Sequence, residues 1–388
     1  MREKIVFLSG SNLVKYTEYI EVVKRKNYEI IPVEVVSDSE DISEKKMNRS
    51  MTLKEKHGIE VCFISMEELA GIEEVAAIIP LDEIAVDNVR KLLFYRNDFK
   101  NSGIKALEIC RNKFLQREHI FEYSPKYLLV NLENVEEAIA LLESDRNKFF
   151  VLKPLCLDSS MDIIKINYNS KAILREMCMK HGSILLEELI VGQEFSIETI
   201  VVDKKIKFSN ISETRTTEEI ETSVSFVELQ NTVPAVNITE FQKNKLFSAN
   251  KDVLKSIDFD TGVSHAEYKI TSDGKVYLME IASRNPGAYM MLLYKMVYNP
   301  SLVELIVRAY LGKEIDSNEI KYNNRYAAEI FDVSVEESKN IKLIIENGKT
   351  NDISIDIEND IPALIKYSDE KRELKSGYDW MNCLITYL

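Results

Sequence analysis

Apolar positions divide the chain into short buried runs alternating with helical stretches. Residues 4–8 form an apolar run, Ser9-Gly10-Ser11-Asn12 follow as a turn, and a helical pattern covers 14–26. Apolar runs return at 28–36, 61–64 and 75–80, with helical material between the last two. Strand, helix and strand in that order predict a βαβ opening and a parallel sheet. Residues 1–98 therefore read as a small Rossmann-like domain, with the polar stretch 37–56 as a loop or an exposed helix. The first strand is not followed by G-x-G-x-x-G, so the dinucleotide fingerprint is missing and a dehydrogenase is disfavoured.

Beyond this opening, residues 104–122 read as one helix, with Lys113 and Arg117 a turn apart and Ser124-Pro125 as the stop. Strands at 127–130 and 149–154 flank a helix at 134–144, and a strand at 163–166, a helix at 170–180 and a strand at 183–186 complete a compact α+β lobe. Long strands are expected at 194–202, 205–212 and 223–229, then a helix at 240–256. Two more strands, 263–270 and 275–281, join through Thr271-Ser272-Asp273-Gly274, whose Asp-Gly pair is a strong hairpin signal. From Ser301 a helix leads into mixed short elements. No internal repeat is evident.

Composition narrows the function classes. The chain has 388 residues, enough for two or three domains or lobes, and a net charge of −14. So acidic a chain, without a Lys/Arg stripe, is repelled by a phosphate backbone or an anionic membrane surface, although a local basic pocket for a small phosphate is compatible with it. No run approaches the roughly 20 apolar residues of a membrane span. The cysteines Cys62, Cys110, Cys156, Cys178 and Cys383 are scattered and lack C-x-x-C spacing, which suits free thiols in a reducing cytoplasm and argues against zinc.

Four local features carry candidate chemistry. Lys153 ends the apolar strand Phe149-Phe150-Val151-Leu152, where it is either a phosphate ligand or an exposed strand-end lysine. Leu185 to Glu194 runs from a strand through two acids and Gly192 into a new strand, as either a hinge or a surface loop. Glu267 and Glu280 lie on the two strands of the Asp273-Gly274 hairpin. Alternation puts His265, Glu267 and Lys269 on one face, while Glu280, between Met279 and Ile281, points either inward or outward. Two close carboxylates ask for a hard cation, and Mg²⁺ suits one or two carboxylates plus phosphate oxygens. Arg284, just past Glu280, sits where an arginine can neutralise a transferring phosphoryl group or hold a carboxylate.

In order and spacing these features resemble the ATP-grasp superfamily, and within it the branch of L-amino-acid ligases and carboxylate-amine ligases. The resemblance spans 104–312. It is carried by Cys110-Arg111-Asn112-Lys113-Phe114-Leu115 with Arg117, by Phe150 to Pro154, by Glu187-Glu188-x-Ile190-x-Gly192-x-Glu194, by Gly262, His265, Glu267, Tyr268 and Lys269, and by Glu280, Ile281 and Arg284. Glu213-Thr214-Arg215, Phe226-Val227-Glu228 and Pro234 add to it.

The resemblance implies a Rossmann-like domain at 1–98, a two-lobed ATP-grasp fold at 99–312 with its lid lobe near 120–190, and an α+β subdomain at 313–388, an overall mix of α/β and α+β. It implies that Lys113 and Lys153 grip ATP phosphates, that Glu187 and the backbone of Glu188, Leu189 and Ile190 read adenine, and that Glu194 holds the ribose. Glu267 and Glu280 would hold Mg²⁺ (or Mn²⁺), Arg284 would be catalytic, and His265, Arg215 and Glu228 would line the substrate pocket. The implied reaction activates a small carboxylate, such as an amino acid, as an acyl phosphate and joins it to an amine, releasing ADP and phosphate. Transfer to a carrier-protein thiol and a silent nucleotide-binding protein are the alternatives; a homodimer is compatible with either. Two departures stand out. Ala282 occupies the place of a common third metal ligand, and the loop from Leu155 to Met161 lacks the usual glycines, with Ser159 and Ser160 as substitute donors.

Overall fold

The computed structural model describes residues 2–37, 42–157, 160–219, 223–330, 353–356 and 363–368. Strands β1 (Lys4–Leu8), β2 (Glu29–Val35), β3 (Cys62–Ile64) and β4 (Val75–Pro80) form a sheet in the order β3-β2-β1-β4. All its pairings are parallel. The helical pattern at 14–26 resolves into a 3-10 turn, Gly10–Val14, and a helix, Glu18–Arg25. The polar stretch 37–56 contains an exposed helix, Glu44–His57. Gly10 packs against β2 so closely that a Cβ would lie 2.5 Å from the Val33 nitrogen.

The lobe that follows has β5 (Tyr127–Asn131), β6 (Phe150–Pro154), β7 (Ile164–Ile166) and β8 (Ser183–Glu188) in the antiparallel order β5-β8-β6-β7. Its core is Val130, Leu142, Leu152, Leu174, Ile184 and Leu186, beneath helices Val135–Ser144 and Ala172–His181.

The central sheet uses β9 (Gln193–Val202), β10 (Lys205–Thr216), β11 (Glu228–Val233), β12 (Gly262–Ile270) and β13 (Val276–Ala282). The short pair β14 (Tyr298–Asn299) and β15 (Lys321–Tyr322) stands apart, and β16 (Tyr326–Ile330), β17 (Ile353–Asp356) and β18 (Ala363–Ser368) complete the order β13-β12-β9-β10-β11-β16-β18-β17. One face of this sheet is apolar: Phe195, Ile197, Ala266, Tyr268 and Ile281 pack under helix Glu240–Ser256.

Two sequence expectations change. The strand expected at 223–229 is β11, shifted toward the C-terminus so that its polar residues pair with β10 and β16. The single helix expected at 104–122 is two, Ile104–Arg111 and Lys113–His119. Asn112 breaks it: its backbone is extended, and its side chain accepts from the Phe114 and Leu115 amides at 2.9 and 3.3 Å. Asparagine competes with the helix for backbone donors and so favours a cap over an interior position. That cap makes Lys113 the first residue of a new helix.

Candidate active site

Sheet register builds the site. Glu267 stands opposite Glu280 on β13 and Ser196 on β9, His265 opposite Glu198 and Ala282, and Lys269 opposite Glu194. Residues paired across a sheet share a face, so Glu194, Glu198, His265, Glu267, Lys269 and Glu280 all face away from helix Glu240–Ser256. The register thus settles the orientation of Glu280, which alternation left open. Pairing carries the same face across β10 through Ser212 and Thr214 to Asn231 on β11 and Glu329 on β16.

Three buried cations, Lys113, Arg117 and Lys153, pair with Glu280 or with Glu187 on the neighbouring sheet. Lys113, buried, donates from Nζ to Glu280 Oε1 at 2.8 Å and to the Leu157 carbonyl at 2.6 Å. The same residue's amide donates to the Leu155 carbonyl at 2.9 Å, so the glycine-poor loop after Lys153 is docked on Lys113. In that loop Ser160 takes a left-handed φ of 54°, while Ser159 lies outside the described residues. Lys153 Nζ lies 2.8 Å from Glu187 Oε2, and Arg117 Nε donates to Glu187 Oε1 at 2.5 Å. Burial disfavours the Glu187 carboxylate, but Arg117 and Lys153 together outweigh it and hold the group down at about 2. Burial also lowers Lys153, against the pull of Glu187.

His265 bridges two carboxylates. Its Nδ1 lies 2.7 Å from Glu198 Oε1 and its Nε2 3.3 Å from Glu267 Oε1. Burial works against the imidazolium, yet hydrogen bonds to Glu198 and Glu267 raise the ring to about 10. Glu198 is fully buried and also accepts from Ser212 and Tyr294. Lys269 is shared by the Ile190 carbonyl (3.3 Å), Glu194 (3.6 Å) and Glu218. Burial, reinforced by Glu267, Glu218 and Glu228, lifts Glu194 to about 7 although Lys269 opposes it. Arg284 Nε donates to Glu83 Oε1 at 2.9 Å, which ties it to the Rossmann-like domain.

The structure gathers Lys113, Glu267, Glu280, His265 and Glu194 on one surface, and Lys153 lies nearby on β6. Two readings are corrected. Glu187 does not offer its side chain to a base: both oxygens are engaged by Arg117 and Lys153, and the residue is 1% exposed. Arg215 falls on the opposite face of β10 from Ser212 and Thr214, with Nε donating to Glu219 at 3.0 Å. Glu228 is placed on the site face by its pairing with Thr216, and its Oε2 accepts from Asn231 at 3.0 Å.

Sequence reasoning missed three members. Arg117 supports Lys153 through Glu187, and its spacing from Lys113 was the available signal. Glu198 sat unremarked in the long apolar strand, and Glu83 belongs to the other domain.

The glycine at position 192 has a steric reason. A Cβ at Gly192 would lie 2.4 Å from the Ile270 carbonyl oxygen, which is backbone and has little room to yield. Gly192→Ala should therefore destabilise the protein by about 1–3 kcal/mol, as overpacking does. A denaturation midpoint equal to that of the parent would contradict this.

The carboxylates suit a hard cation. Lys113 takes one oxygen of Glu280 and His265 one of Glu267, which leaves Oε2 on each. Among the described residues no group of three or more His, Cys, Asp or Glu side chains could hold a metal. Two carboxylates completed by phosphate oxygens and water fit Mg²⁺, and Ala282 adds no third ligand. Cys62, Cys110, Cys156 and Cys178 are free thiols, and Cys383 lies outside the described residues. No described helix is long and apolar enough to cross a membrane.

Comparison with known proteins bears on the fold. Residues 147–291 match the family model of the ATP-grasp domain. Carboxyaminoimidazole ribonucleotide synthase from Aspergillus clavatus, solved with ATP, superposes with a TM-score of 0.73 at 14% identity, covering 97% of this chain and 96% of that one. L-amino acid ligase from Bacillus licheniformis gives 0.68 at 15% identity, covering 98% and 97%. Phosphoribosylglycinamide synthetase from Anaerococcus prevotii gives 0.65 at 14% identity, again covering 98% and 97%. At these identities the likeness establishes the ATP-grasp fold, with the Rossmann-like domain in front. No curated protein matches the chain by sequence.

Proposed function

We propose that the protein is an ADP-forming ligase that activates a small carboxylate as an acyl phosphate and joins it to an amine. The observation that carries this reading is the in-register pair Glu267 and Glu280, with Lys113 bonded to Glu280 at 2.8 Å and Arg284 four residues further on. The ATP and amino-acid ligase structures of the same fold support it.

ATP would lie between the lid sheet and the polar face of the central sheet. Lys153 and Lys113 would grip its phosphates, the backbone of Glu188, Leu189 and Ile190 would face the adenine, and Glu194 would accept from ribose hydroxyls. Glu267 and Glu280 would hold Mg²⁺, which when bound neutralises phosphate charge. Glu187 and Arg117 fix the ammonium of Lys153. Arg284 would hold the carboxylate and stabilise charge that develops as it attacks the γ-phosphorus. The lobe above the sheet would exclude water, which otherwise hydrolyses the acyl phosphate.

A phosphate-release screen of the purified protein with ATP, Mg²⁺ and amino acids, singly and in pairs, tests the reading. ADP release that requires both a carboxylate and an amine is expected. Release that requires a carrier protein would move the acceptor to a thiol, and no release with any acceptor despite ATP binding would leave a silent nucleotide-binding protein.

A further inference from the structure

A cleft of about 770 Å³ opens between the Rossmann-like domain and the helix Met290–Val297. Its walls are the turn before helix Glu18–Arg25, one side of helix Glu44–His57, and the segment that continues from Arg284. Lys15, Lys45, Arg49, Lys56 and Lys295 line it, Lys295 with Glu21 3.4 Å from its Nζ, and among the described residues the carboxylates in the lining are Glu18 and Glu44. The chain as a whole has 50 basic residues against 64 acidic ones, so this local excess of cations runs against the average. Clustered like charges repel, and a concave, low-dielectric wall focuses their field on whatever enters.

Further details place the cleft beside the reacting centre. Its inner wall includes Ala288 and Tyr289, reached from Arg284 through Asn285-Pro286-Gly287. Ala288 is held at a left-handed φ of 52°, a conformation an alanine adopts at a cost. The phenol of Tyr16, also in the lining, feels both Arg284 and the Asn285 side chain, although burial dominates and raises it. Arg49 spends Nη1 on Asn12 Oδ1 at 2.7 Å, one contact for a group with five donors. Glu18, one of the two acids, is pushed upward by burial despite Ser301 and Lys295, which weakens its claim on the lysines.

We propose that this cleft receives an oxyanion, a phosphate ester or a second carboxylate, carried by the same substrate whose reacting end meets Arg284. The substrate class is then an acidic or phosphorylated small molecule rather than a neutral amino acid. The proposal rests on the ligase reading for the word substrate and on the cleft alone for the anion.

The test titrates the full chain, without ATP and at fixed ionic strength, with ribose 5-phosphate in one arm and glutarate in the other. Saturable binding of one probe is expected. In Lys45→Glu/Lys295→Glu it should weaken by about tenfold, the scale of two modest charge contacts. Lys45→Gln/Lys295→Gln should show a smaller loss. Both lysines are exposed, so the thermal midpoint checks that the variants fold. The arm that binds tells a phosphate handle from a carboxylate one. Failure of both probes to saturate, or equal binding in the Glu variant, overturns the proposal. ATP titration and ADP release are measured separately: probe binding lost in the variant with no ADP release from any substrate would keep the anion cleft and remove the ligase reading.

Discussion

Glu280→Gln should cut substrate-dependent ADP release by about 10²–10³-fold, the cost of removing one preorganised charge from a transition state. Glu280 is the point where the proposed metal site and the proposed phosphate-binding lysine meet, since one oxygen takes Lys113 and the other is left for a cation. The amide keeps the size of the side chain and removes its charge. The side chain is 24% exposed, so the fold should tolerate the change and the thermal midpoint should stay close to that of the parent. Steady-state phosphate release over a Mg²⁺ titration reads the effect. Activity retained at ordinary Mg²⁺ would sink the assignment of Glu280 to the metal, whatever the substrate proves to be.

Glu187→Gln should produce the largest loss of stability, about 3–5 kcal/mol, because it leaves Arg117 and Lys153 charged and buried without their counter-ion. Arg117 is 0% exposed and Lys153 7%. The two cations also lie near enough to disfavour each other, with Arg117 acting to lower Lys153. Denaturant unfolding measures the loss, and a change below about 1 kcal/mol would mean that the cluster is solvated or relaxes freely. The same cluster has a pH signature. Glu187 is depressed from the ordinary carboxylate range to about 2, so its contribution is complete above that range and fades as pH falls toward 2. The parent should therefore lose stability on acidification through this window, and Glu187→Gln should lose less.

Much of this was legible in the chain. The Rossmann-like opening and the Asp273-Gly274 hairpin follow from local apolar periodicity and turn chemistry, which act over a few residues. Lys113, Lys153, Glu267, Glu280 and Arg284 stand out as a set because their order and spacing resemble those of ATP-grasp proteins. The break at Asn112 is also local, yet the apolar pattern runs on through it and so predicts a single helix.

What the chain determined by itself is thus the sequence of elements and the residue types at the site. Three matters were decided only by tertiary structure. Sheet register turned Glu280 toward Glu267, since a slip of one residue would have sent it to the other face. Pairing of β6 with β8, and the approach of helix Lys113–His119 to that sheet, brought Arg117, Lys153 and Glu187 together from three separate elements, changing Glu187 from a reader of the base into the counter-ion of two cations. The approach of the Rossmann-like domain gave Arg284 its partner Glu83 and enclosed the basic cleft, 201 positions apart in sequence for that ion pair. Charges act through space, and the spacing of residues along a chain does not say which of them will be neighbours once it is folded.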